Sequence, residues 1–211
     1  MAINARNSTV QRELIPAGNY IARCYEMLEI GTVKETILGV EKILKKVRIG
    51  WELPTEKRVF QKELGEQPLA ISKEFTLSMH EKSTLRKTLA SWRGKDFTEL
   101  EAECFDITKL LGVVCMINII HTPGAKDPSK MYETISGVTP IPKGLECPAA
   151  INPVKVLEYE SFNREVFETL PDFIKDKIKS SAEYKQMMQP HVSEIKEPTT
   201  NIGEPVDDLP F

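Results

Sequence analysis

Val113-Val114-Cys115-Met116-Ile117-Asn118-Ile119-Ile120 is the most continuous apolar run in the chain, and its β-branched content predicts a central strand. Thr122-Pro123-Gly124 opens a polar loop through Lys130, and Tyr132-Glu133-Thr134-Ile135-Ser136-Gly137-Val138 reads as the antiparallel return strand. This pair sets a mainly β expectation for the second half. In the first half, Pro16-Ala17-Gly18-Asn19 makes a turn that feeds Tyr20-Ile21-Ala22-Arg23-Cys24-Tyr25-Glu26-Met27, an aromatic and β-branched strand. Gly31 and Gly39 are expected to bracket a loop. Between Val40 and Leu53 the alternation returns, with Ile43, Val47, Ile49 and Trp51 on one parity and Lys42, Leu44, Lys46 and Arg48 on the other. Lys45 breaks the apolar face and suggests a strand end or a bulge nearby.

Pro54 to Pro68 is a polar connection, and Leu69 to Met79 reads as the next strand. Then the period changes to that of a helix, with Leu85, Leu89 and Trp92 on one face and Gly94 placed to end it. Thr98-Glu99-Leu100-Glu101 has the form of a capping box, and Asp106 to Leu111 predicts a short helical turn stopped by Gly112. Prolines 140, 142, 148 and 153 make Thr139 to Pro153 an irregular loop, and Val154 to Tyr159 adds an edge strand. A helical pair follows, with one stripe of Phe162, Val166 and Phe167 and a second of Phe173, Ile174 and Ile178 before Ser180-Ser181. These faces need a partner, most simply the outside of the sheet. From about Gln189 the composition turns to Pro, Glu, Thr, Asn and Gly.

The chain of 211 residues is 41% hydrophobic and 28% charged, as expected of one core-building domain with a tail. Residues 1–14 read as a flexible lead, 15–188 as the domain and 189–211 as a disordered acidic tail. No run approaches the roughly 20 apolar residues needed to cross a bilayer, and Met1 to Arg6 lacks an apolar signal core, so a cytoplasmic protein without membrane contact is expected. Cys24, Cys104, Cys115 and Cys147 form no close pair, and His80, His121 and His191 are equally scattered. Reduced thiols are therefore expected, with no metal site, no cofactor and no Cys-His nucleophile. The formal charge is −3, and the segment Glu194–Phe211 alone holds one Lys and five acids, which leaves +1 for the rest. Such a body binds phosphate only if its cations gather on one face.

The last residues, Asp207-Asp208-Leu209-Pro210-Phe211, join adjacent carboxylates to an apolar residue, a proline and a terminal aromatic. This ending resembles the acidic C-terminal tip of bacterial and phage single-stranded DNA-binding proteins. An acidic, proline-containing chain end is also simply what a soluble tail looks like. Within the body, Pro16-Ala17-Gly18-Asn19-Tyr20, Leu85-Arg86-Lys87, Trp92-Arg93-Gly94-Lys95, the Leu111-Gly112 turn, His121 and Leu170-Pro171 through Ser180-Ser181 resemble a phage and prophage family of single-stranded DNA-binding, replication-associated proteins. By segment order alone, a β-sandwich would read much like a five-stranded barrel. The resemblance implies the second: an α+β chain, mainly β, with an OB-fold barrel, a helical insertion and the C-terminal helical pair.

A single-strand binder needs cations for the backbone and flat side chains for the bases. The candidates are Lys42, Lys45, Lys46 and Arg48 for phosphates and Tyr20, Tyr25 and Trp51 for stacking. Arg23, Arg86, Lys87, Arg93 and Lys95 could widen the face. Trp51 shares its parity with core residues, and helix cations are equally explained by a solvated surface. With 7% aromatics, few stacking contacts and strong salt dependence are expected. The resemblance implies that the tip recruits replication or recombination proteins, and oligomerisation is left open. Two other classes compete: a phage structural or adaptor protein that uses the fold for protein contacts, and a nuclease with Mg²⁺ held by Glu99, Glu101, Glu103 and Asp106. Helical spacing favours a solvated helix face for those four acids, so no catalysis is expected.

Overall fold

The computed structural model describes residues 13–37, 39–125 and 127–189. The expected flexible lead and acidic tail, including Asp207, Asp208, Leu209, Pro210 and Phe211, lie outside the described residues except at their inner edges.

Six strands form one sheet: β1 (Gly18–Ile37), β2 (Val40–Val59), β3 (Glu66–Thr76), β4 (Val114–Pro123), β5 (Met131–Thr139) and β6 (Lys155–Leu157). The path runs β3-β2-β1-β4-β5 with antiparallel neighbours, and β6 lies parallel beside β1. β1 is shared along its length: Gly18 to Arg23 pair with β4, and Glu26 to Leu28 pair with β6. Between β3 and β4 stand α1 (Thr84–Arg93) and α2 (Glu99–Glu103), and after β6 come α3 (Arg164–Glu168), α4 (Asp172–Ser180) and α5 (Ala182–Met188). No described helix is long and apolar enough to cross a membrane.

The first two strands are longer than their sequence predicts. Gly31 opens no loop; it sits at φ +88° where the β1–β2 register shifts between Glu29 and Gly31, a bulge that lets β1 continue to Ile37. A second shift, between Cys24 and Glu26, leaves Tyr25 as the extra residue. β2 runs past Leu53 because a third irregularity, between Leu53 and Lys57, takes up Pro54, which cannot donate to a ladder. The bulge suggested by Lys45 is therefore real, but it lies across the ladder on β1.

Alternation on the inner face builds the main core: Ala22, Cys24, Val47, Ile49, Trp51, Cys115, Ile117 and Ile119 are buried there. α1 closes over it with Leu85, Leu89 and Trp92, whose ring meets Trp51 at 5.9 Å and a 52° tilt. Its ends follow the sequence: Ser83 Oγ accepts from Arg86 N, and Gly94 N–H bonds back to Ser91 O. The Thr98–Glu101 capping box is formed at α2. Ile15 enters the same core at the far side, where its N–H donates to Glu133 Oε1 and its carbonyl accepts from His121 Nε2 at 2.7 Å. The end strands β3 and β5 meet through a side chain, with Lys73 Nζ donating to Ile135 O at 2.9 Å. Burial pulls the Lys73 pKa down.

A second core lies on the outer face of distal β1, where Leu28, Ile30 and Val33 meet Leu157, Phe167, Leu170, Ile174 and Ile178. The expected helical pair is in fact three helices. Ser181 ends the second of them, with its N–H donating to Ile178 O, and also starts α5, with its Oγ accepting from Tyr184 N. The Gly31 bulge is where α5 seats: the Glu183 carboxylate accepts from Thr32 N at 2.6 Å and from Thr32 Oγ1 at 2.7 Å. Tyr159 completes the seat, with its hydroxyl 2.7 Å from Ser181 Oγ.

Candidate nucleic-acid interface

The basic parity of β2 does not form an open track. Lys46 and Arg48 lie beneath α4 in an alternating layer of charge. Lys46 Nζ donates to Glu35 at 2.8 Å, Lys177 of α4 bonds both Glu35 and Glu74, and the Arg48 guanidinium lies 3.9 Å from Glu26 and 3.8 Å from Glu74. The Phe173 ring covers that guanidinium at 5.7 Å. Burial alone would raise the Glu35 pKa, but the bonds from Lys177 and Lys46 outweigh it and hold the pKa low. Glu26 goes the other way: burial raises its pKa, and Arg48 and Lys155 only partly offset that. These cations are occupied by carboxylates, so a phosphate would have to displace both an acid and a helix.

The other expected residues scatter. Lys45 is exposed but holds Glu29 at 2.7 Å, and that bond raises its pKa. Lys42 is exposed near the β1–β2 turn. Trp51 is fully buried against Trp92 and offers no face to a base. Tyr20 points inward, half-buried, with its hydroxyl donating to Pro16 O at 2.7 Å. Tyr25, the bulged residue, is half-buried near Glu26, Arg48 and Glu52, and burial raises its pKa. Arg86 is a buried clamp: it donates to Phe97 O at 2.6 Å, to Met79 O and to Glu99, and meets Asp96. Arg93 pairs with Glu101 at 2.6 Å and stacks on Phe97 at 4.7 Å. Of the expected cations in that helix region, Lys87 and Lys95 are plainly exposed.

The four acids proposed for Mg²⁺ diverge likewise. Glu99 bonds Arg86, Glu101 bonds Arg93 and Thr98 N, and Asp106 caps Thr108. Among the described residues no three His, Cys, Asp or Glu side chains stand close enough to share a metal ion.

What the fold leaves open is a different face. On proximal β1, β4 and β5, the positions alternating with the core residues point outward: Asn19, Ile21, Arg23, Val114, Met116, Asn118, Ile120, Thr134 and Tyr132. A ladder of polar side chains crosses three strands there. Asn118 Nδ2 donates to Asn19 Oδ1 at 2.8 Å, Ser136 Oγ donates to Asn118 Oδ1, and Thr122 and Thr134 share a hydroxyl bond at 2.6 Å. Tyr132 is 52% exposed and Ile120 40%, and the Tyr132 ring packs beside Gly124. Arg23 reaches Pro148 O at 2.7 Å from the edge of this face. None of these outward positions is Asp or Glu, in contrast to the layer under α4. Of the expected residues only Arg23 belongs here. Tyr132 was not among the expected residues, although its parity with Thr134, opposite to Ile135, was readable. No family model, characterised protein or solved structure matches the chain.

Proposed function

We propose that the chain is a single-stranded DNA-binding protein of the oligonucleotide-binding barrel type, and that it holds the strand on the outer face of β1, β4 and β5. The observation that carries this reading is that face itself: amides, hydroxyls, aliphatic carbons, one guanidinium and one exposed phenol, with no carboxylate. Amides and hydroxyls suit base edges and phosphate oxygens alike, and Tyr132 supplies a stacking platform. The strand order β3-β2-β1-β4-β5, with a helix between β3 and β4 and Lys73 bridging the end strands, supports the barrel. The resemblance of the body to the phage family supports the ligand. On the same reading Asp207 to Phe211 recruit replication or recombination proteins.

The test is titration of labelled oligo-dT and the matching duplex at two salt concentrations. Single strand should bind in preference to duplex, and Tyr132→Ala should weaken binding about tenfold, the worth of roughly one stacked base. Lys46→Ala should leave affinity unchanged, since Lys46 is buried against Glu35. Arg23 is the one cation among the outward positions, so the salt dependence should be shallow, on the order of one phosphate contact. That replaces the steep dependence expected from a lysine track. Absence of any oligo-dT shift at low salt would remove the proposal.

A further inference from the structure

Between the two cores the fold leaves a cleft of about 590 Å³. One wall is the segment from Ala102 to Thr108; the other is β6, the residues after it and Glu183 of α5. Its floor is apolar, with Met27, Val47, Leu77, Met79 and Ile107. Around that floor stand six carboxylates, Glu29, Glu103, Asp106, Glu158, Glu160 and Glu183, and the only ammonium is that of Lys45, so the lining carries −5. Internal bonds occupy part of this charge, since Glu29 holds Lys45 and Glu183 holds Thr32. Glu103 and Glu160 remain exposed on opposite walls.

An apolar floor inside a negative rim selects its occupant by shape and sign together. A nucleic-acid strand is repelled, and a divalent ion finds no group of three ligands among the described residues. A peptide with an apolar side chain flanked by Lys or Arg satisfies both features: the side chain enters the floor and the cations meet the rim. Met27 and Met79 suit such a floor because thioether side chains adapt to varied shapes. We propose that this cleft docks a basic, apolar-centred segment of a partner protein. The cleft shares no residue with the outer face of β1, β4 and β5, so both are accessible at once.

The experiment uses the full-length protein and a short fluorescein-labelled peptide of alternating Lys and Leu, followed by anisotropy at low salt. Binding should be saturable at one peptide per chain. A Lys-Ser peptide of equal charge should bind about tenfold more weakly, because it lacks the buried side chain. The double variant Glu103→Lys/Glu160→Lys, at two exposed positions that leave the fold intact by circular dichroism, should also lose about tenfold. Equal binding of the Lys-Ser peptide, or undiminished affinity in the folded double variant, would overturn the proposal. So would binding that appears only in Arg6→Glu/Arg12→Glu protein, which would give the cleft to the chain's own first residues.

Discussion

Gly31 is the position where one added methyl group should do the most measurable damage. Its backbone lies at φ +88°, a region that costs an L-residue about 1–2 kcal/mol. A Cβ there would stand 2.8 Å from Glu183 Oε2, 2.9 Å from Ser181 Cβ and 2.9 Å from Tyr159 Cε2. Relieving such contacts in a packed site costs about 1–3 kcal/mol, so Gly31→Ala should lose roughly 2–5 kcal/mol in total. Gly144 provides the control, since it shares φ +88° but has nothing within 4 Å of its would-be Cβ. Gly144→Ala should therefore lose only the backbone part, about 1–2 kcal/mol. Urea unfolding of both variants measures the difference, and amide exchange at Thr32 shows whether the Glu183 bond has opened. If the two variants lose equal stability, the claim that α5 seats in the Gly31 notch is wrong.

Acid should loosen the same seat. Burial pushes the Glu183 carboxyl up, but the Thr32 backbone and hydroxyl bonds prevail and hold it below its ordinary 4.5; Glu35 is held low in the same way by Lys177 and Lys46. Carboxyls with depressed pKa values contribute stability that is present above the unfolded value and lost as pH falls through the folded one. The urea midpoint should thus fall as pH drops below 4.5, and Glu183→Gln should flatten that slope. Glu26, raised by burial, works in the opposite direction, so an unchanged slope in the Gln variant would count against Glu183 as the source. Thiol labelling provides a second check: exposed Cys104 should react in the native protein, while Cys24, pushed up to about 12 by burial, and Cys115 should react only on unfolding. Rapid native-state modification of Cys24 would contradict the described core. Arg86→Ala should lower the thermal midpoint by several degrees by stranding the Phe97 and Met79 carbonyls, and at temperatures where the variant stays folded its oligo-dT affinity should be unchanged.

Local chemistry made the elements legible. The β-branched run at Val113 predicts β4, the Leu85-Leu89-Trp92 spacing predicts α1, and the Thr98–Glu101 box predicts the start of α2, because each depends on side chains a few residues apart. Parity favoured a core place for Trp51 although it stood among the stacking candidates, and the apolar stripes of the C-terminal helices called for a sheet to lie on. What the sequence could not determine was which outward face stays open. Lys46 and Arg48 alternate as a phosphate-binding strand would, yet Lys177 and Phe173, more than a hundred residues later, fold over them with Glu35 and Glu74 between. Gly31 reads as a loop residue until α5 shows why β1 needs a notch there. Charge on a strand is a local property, but its availability to a ligand depends on which distant segment covers it, and only tertiary packing decides that.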